Sequence, residues 1–247
     1  MKIKAMLAVV VTLSGSAWAA QSYDSYDEFY SAQPGAVFGD PITQDVDSIE
    51  QNAGVIYSHP GKPGIFTKLQ ARLERKTLNI ELWGNRVVVN GKIYRFARAI
   101  TFPGEHVSDI FPQSTKVFVA PRTETHPPLL CIEGHGSGSG EAASRYQQIS
   151  LLVDPLARKP TFLHLPSLLS TCRGIVSTKD GKLAFPKNRY IFDDAQESRV
   201  GLSMSYYTFE NRRFVPALNN IRLRFMQPEI PFQFSVQEEG TADRMAH

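Results

Sequence analysis

The chain has 247 residues, 42% hydrophobic, 21% charged and 11% aromatic, a globular composition that excludes a disordered or fibrous chain. Its formal charge of +3 includes Lys2 and Lys4; without them 25 basic residues face 24 acidic ones. A balance so close to neutral argues against a nucleic-acid-binding partner, which calls for a basic excess.

Lys2 and Lys4 open a three-part leader: Met6 to Leu13 is a compact apolar run, Ser14-Gly15-Ser16 breaks it, and Ala17-Trp18-Ala19 places small residues at a cleavage site. The run is too short to span a bilayer, and no cysteine lies near the cut to carry a lipid. The reading is a signal peptide over residues 1–19 and a mature protein of residues 20–247 that is periplasmic or secreted, with no transmembrane anchor. That mature part is expected to be one β-rich domain. A segment with three prolines, Pro121 to Pro128, is where two lobes would divide.

Downstream of the leader, Gln21 to Ala32 is acidic and aromatic. Ser25 and Glu28 have capping-box spacing, and Tyr26, Phe29 and Tyr30 recur at helical intervals, so a short helix competes with an extended arm. From Pro34 to Gly64 proline, glycine and aspartate dominate, which predicts loops with brief strands. Leu78, Ile80 and Leu82 alternate with Asn79 and Glu81, the period of a strand with one buried face. Arg86 to Val89, Asn90-Gly91 and Lys92 to Phe96 form a predicted hairpin, because both central residues tolerate positive φ.

Strands follow at Lys116–Ala120, Leu129–Ile132, Tyr146–Val153 and Thr161–Leu165, with a single helical turn expected over Pro166–Ser170. Lys179-Asp180-Gly181 predicts a second hairpin between Arg173–Ser177 and Lys182–Phe185. Arg189–Phe192, Val200–Glu210, Phe214–Val215, Asn220–Met226 and Pro231–Val236 complete the series. Within it, Tyr206 and Thr208 share one face and Tyr207 and Phe209 the other. Short strands separated by turn residues, with no long amphipathic helix, define an all-β class. It is mainly antiparallel, a sandwich, barrel or propeller-like stack with at most one or two short helices.

Two cysteines, Cys131 and Cys172, in an exported chain read as a disulfide. Cys131 opens the segment most suggestive of function, which holds four glycines within Gly134–Gly140 and gathers Glu133, His135, Ser137, Ser139 and Glu141. A glycine-lined loop with a histidine base and a serine nucleophile would suit a hydrolase. Yet neither serine has glycine on both sides at the spacing of a nucleophile elbow, and no phosphate-loop motif is present. The alternatives are a glycine-turned surface loop over residues 133–141 and a loop that touches a partner. The six histidines are scattered without a metal-binding spacing, so neither a metal nor another cofactor is expected. Asp45 with Asp47, and Asp193 and Asp194 with Glu197, are acidic pairs or triplets in turn-like sequence, where oxygen ligation of Ca²⁺ competes with ordinary turn formation.

Ser139-Gly140 followed by Ser144-Arg145-Tyr146 resembles the Ser-Gly-x-Arg-Tyr element of periplasmic lysozyme inhibitors of the MliC type, with three residues interposed. The resemblance covers about eight positions of a chain more than twice as long as those inhibitors. It implies that Ser139, Arg145 and Tyr146 belong to a surface that enters an enzyme's cleft. The expectation is an exported non-catalytic binding protein of the bacterial periplasm, an inhibitor or immunity protein whose partner is a toxin or hydrolase of the cell envelope. A periplasmic hydrolase acting through residues 133–141, and an accessory part of an envelope assembly, are the alternatives.

Overall fold

The computed structural model describes residues 21–42, 66–136, 140, 145–217 and 220–237. The leader at 1–19, Asp45 and Asp47, most of the loop-rich stretch 34–64, and Ser137, Ser139 and Glu141 lie outside the described residues.

A two-residue strand, β1 (Ser22–Tyr23), leads into helix α1 (Tyr26–Ser31). Ser25 caps that helix, its hydroxyl accepting the Glu28 amide at 3.1 Å, and Tyr26, Phe29 and Tyr30 are buried beneath it. Replacing Ser25 with alanine is expected to cost about 1 kcal/mol, read as a lower melting temperature.

Strands β2 (Phe66–Leu73), β3 (Lys76–Trp83), β4 (Arg86–Val89) and β5 (Lys92–Arg95) form a four-stranded antiparallel meander. The predicted hairpin is there. Val89 pairs with Lys92, and Asn90 and Gly91 turn the chain at φ 50° and 79°.

A second sheet contains β6 (Ile100–Thr101), β7 (Lys116–Ala120), β8 (Leu129–His135), β9 (Tyr146–Val153), β10 (Thr161–His164) and β11 (Ser167–Leu168). Its order is β6-β10-β9-β8-β7, with β11 also on β9. The β6–β10 pair is parallel; the other pairings are antiparallel. Residues 121–128 join β7 to β8 within this sheet.

The third sheet holds β1 and six later strands, β12 (Val176–Ser177), β13 (Leu183–Phe192), β14 (Arg199–Glu210), β15 (Arg213–Pro216), β16 (Ile221–Gln227) and β17 (Ile230–Gln237). Its order is β1-β17-β16-β14-β13-β12, with β15 also on β14.

The three sheets stack as layers. Leu130, Ile132, Leu152 and Val117 of the six-stranded sheet meet Leu78, Ile80, Leu82 and Val87 of the four-stranded one. The opposite face of the same strands, Leu129, Cys131, Leu151 and Phe118, packs against Phe185, Tyr207, Phe209 and Phe214 of the seven-stranded sheet. The middle layer is therefore covered on both sides, which is why Leu129–Ile132 of β8 and Leu151–Val153 of β9 are unbroken apolar runs while β3 alternates. Helix α1 closes the far side of the seven-stranded sheet, where Phe29 and Phe234 are fully buried with their rings edge to face at 5.7 Å.

The structure corrects the helical turn expected at Pro166–Ser170. Ser167 and Leu168 are strand, paired with Gln147 and Tyr146, and the backbone N–H of Asn188 donates to the Ser167 hydroxyl at 3.1 Å. Both residues are buried, so pairing to β9 overrides the local preference. The turn of 3-10 helix comes slightly later, at Cys172–Gly174. Likewise the strands expected at Lys182–Phe185 and Arg189–Phe192 are not separate but merge into β13, which starts at Leu183 and runs through Pro186. The all-β, mainly antiparallel class with one short helix is what the described residues show.

Candidate functional site

Cys131 of β8 and Cys172 form a disulfide with Cα atoms 6.0 Å apart, closing a separation of 41 residues. It ties the middle sheet to the 3-10 turn that packs under α1. Glu133, two residues along the same face of β8, points at that junction and is 5% exposed. Its Oε2 accepts the Cys172 amide at 2.6 Å, and its Oε1 lies 3.7 Å from Lys116 Nζ, which in turn is 3.9 Å from Asp27. Burial pushes the Glu133 carboxyl up to about 6, against the lowering influence of the Cys172 amide and Lys116. The role of this carboxylate is to hold the disulfide-bearing turn on the sheet.

The sequence suggested a glycine-turned loop over 133–141. The structure corrects its first part: Glu133, Gly134 and His135 are strand, and Gly136 bridges Ile110. These glycines serve close packing. A Cβ on Gly134 would lie 3.0 Å from the Thr115 methyl, and one on Gly136 would lie 2.9 Å from the Ser108 hydroxyl oxygen. His135 sits beside its register partner Gln147, with Nδ1 and Nε2 of the two side chains 3.2 Å apart, and its carbonyl accepts the Phe111 amide at 3.1 Å.

Arg145 and Tyr146 resume the described chain beyond this segment, and β9 sends them different ways. Tyr146 donates its hydroxyl to Glu105 Oε2 at 2.9 Å, while Glu105 Oε1 meets Lys187 Nζ at 3.1 Å. Burial first, and then the Glu105 carboxylate, raises the Tyr146 hydroxyl above its ordinary range, so it stays protonated and serves as a tether. Arg145 instead donates to the Tyr190 hydroxyl at 3.2 Å and lies 5.8 Å over the ring of Phe232.

Next to Arg145 opens a cleft of about 430 Å³, lined by Asp24, Tyr26, Asp27, Gln147, Thr171 and Phe232 among others. That volume lies in the range of ligand and side-chain pockets. Its walls come from α1, the start of β9, the turn next to Cys172, and β17. Phe232 is 52% exposed at its rim. Of the residues singled out in the sequence, Arg145 lines this cleft, His135 reaches it through Gln147, Glu133 supports it from behind, and Tyr146 turns away. Asp24, Tyr26, Asp27 and Phe232 were not foreseen as site residues. Their only sequence signal was the acidic, aromatic character of 21–32; nothing local to Phe232 joins it to that segment.

The acidic turn after β13 is built by its own hydrogen bonds. Asp193 Oδ1 accepts the amides of Glu197 at 2.9 Å and Ser198 at 3.3 Å. Among the described residues, no group of three or more His, Cys, Asp or Glu side chains is arranged to hold a metal, and no helix is long and apolar enough to cross a membrane. No family model, characterised protein or solved structure matches the chain.

Proposed function

We propose that the protein is an exported, non-catalytic binding protein of the bacterial periplasm, an inhibitor or immunity protein that neutralises a toxic enzyme of the envelope by covering its active site. The observation that carries this reading is the Arg145–Phe232 pair, a guanidinium over a half-exposed aromatic ring at the mouth of a cleft. Arginine and aromatic side chains dominate the energetics of protein interfaces when a fixed scaffold holds them. Here the scaffold is strand β9, the disulfide-anchored turn and the capped helix, so little ordering entropy remains to be lost on docking. The disulfide accords with an oxidising compartment, and the leader with delivery to it.

The test is a titration of the mature protein against purified envelope-degrading enzymes, muramidases and amidases first. One class is expected to lose activity at one-to-one stoichiometry, and Arg145→Ala with Phe232→Ala weakens that inhibition by about a hundredfold or more. Turnover of an envelope substrate by the protein itself, with a phosphonate probe labelling Ser137 or Ser139, is the result that overturns the reading in favour of a hydrolase.

A further inference from the structure

On the side opposite the Arg145 cleft, the face of the seven-stranded sheet that packs on the middle sheet through Phe185, Tyr207 and Phe209 continues past that contact into an exposed stretch. Cross-strand partners share a face, and one row across the sheet reads Arg189, Ser203, Arg222, Gln237, while the next reads Ile191, Gly201, Arg224, Ser235. Arg189, Arg222 and Arg224 are exposed, whereas their in-between neighbours Leu223 and Phe225 are buried against the α1 side. Among the described residues none of the three arginines has a carboxylate partner. Strands β13, β16 and β17 contain no acidic residue; the one in β14, Glu210, lies at the far end bound to Lys182 at 3.0 Å, and Glu105, which meets this face from outside the sheet, is bound to Lys187 at 3.1 Å. Three guanidinium groups without a carboxylate partner among the described residues thus share one face of the sheet.

The patch has the form of a lane. Ser203 and Ser205, both partly exposed, floor it along β14, and the arginines stand on either side. Arg189 and Arg222 are two strand spacings apart, about 10 Å, and Arg222 and Arg224 are two residues apart, about 7 Å along one strand. An extended peptide presents every second side chain on one edge at that same 7 Å repeat. Guanidinium forks favour carboxylates through paired hydrogen bonds, and the short serine side chains let a backbone approach closely.

We infer that this face docks an extended acidic segment of a partner protein, with carboxylates at alternating positions, laid along β14 between Arg189 and the Arg222–Arg224 pair. An anionic membrane fits less well: a lipid surface would span the turn at the end of the same sheet and meet Asp193, Asp194 and Glu197 with like charge, whereas a segment laid over Ser203 and Ser205 stops short of that turn. The surface is separate from the Arg145 cleft and does not depend on what that cleft binds.

The experiment uses the mature chain and a fluorescein-labelled peptide of alternating glutamate and threonine, followed by anisotropy. A glutamine–threonine peptide and vesicles of phosphatidylcholine containing phosphatidylglycerol serve as comparisons. Binding to the glutamate peptide is expected to weaken with salt and to fall at least about tenfold in R189Q/R222Q/R224Q. It is expected to be retained in R72Q/R95Q/R98Q, which removes the same charge from exposed positions elsewhere. Circular dichroism and thermal melting establish that both variants are folded. Equal binding of the glutamine peptide, equal loss in both triple variants, or absence of binding overturns the assignment. Preferential capture by the anionic vesicles overturns it in favour of a lipid surface.

Discussion

Replacing Cys131 and Cys172 with alanine is expected to lower the unfolding free energy by about 4 kcal/mol, from the chain entropy released when a loop of 41 residues is no longer closed. Urea unfolding of the oxidised protein and the double variant measures the difference directly. The loss extends beyond the loop entropy, because the bond also seats Glu133 against the Cys172 amide. Once the 172–174 turn is free to move, a buried carboxylate loses one of its two supports, so the variant is expected to suffer further as pH rises above 6 and Glu133 ionises. A difference below about 1 kcal/mol would show that the turn is held without the bond.

The second large effect is acid lability centred on His164. This residue is fully buried in β10, stacked on Phe96 with ring centroids 6.3 Å apart, and neither ring nitrogen has a hydrogen-bond partner among the described residues. Burial lowers its pKa from 6.5 to about 4, so the folded protein holds the ring neutral where the unfolded chain takes up a proton. Between those two values the unfolded state binds more protons, and stability falls as pH drops from 6.5 to 4. The full loss is about 3 kcal/mol. Glu133 works in the opposite sense. Its folded pKa of about 6 lies above the ordinary 4.5, so the folded state binds more protons between those values and stability rises as pH drops through that window. The two slopes oppose each other and leave the wild type comparatively flat there. Denaturant midpoints measured across the acid range are therefore expected to fall more steeply in Glu133→Gln, and to lose the acid decline in His164→Leu. Parallel curves for all three proteins would refute the assignment to these residues.

Much of the architecture was legible in the sequence because one-sided strands carry a period of two. The meander around Leu78, Ile80 and Leu82, the Asn90-Gly91 turn and the cap at Ser25 all follow from local chemistry. The middle layer was legible as strands but not as a layer, since a run such as Leu129 to Ile132 looks the same whether one face or both are covered. Ser167-Leu168 was misjudged because its conformation is set by pairing to β9 and not by its own residues. The site divides in the same way. Glu133, His135 and Arg145 stood out in a biased segment, but the spacing of their glycines suggested turns where Thr115 and Ser108 demand room. The cleft itself joins residues 24–27 to Phe232 across about two hundred positions, a proximity created by the β1–β17 pairing and by Tyr26, which donates to the Pro231 carbonyl and stacks on Phe234.

Burying one sheet between two others has a cost during synthesis and recovery. Leu129 to Ile132 and Ile149 to Val153 are low-charge, β-prone stretches, harmless while both neighbours cover them and adhesive when bare. Their protection is assembled from distant parts of the chain and so arrives late. Renaturation yield should consequently decline as the protein is made more concentrated, with intermolecular strand pairing competing against closure of the outer layers.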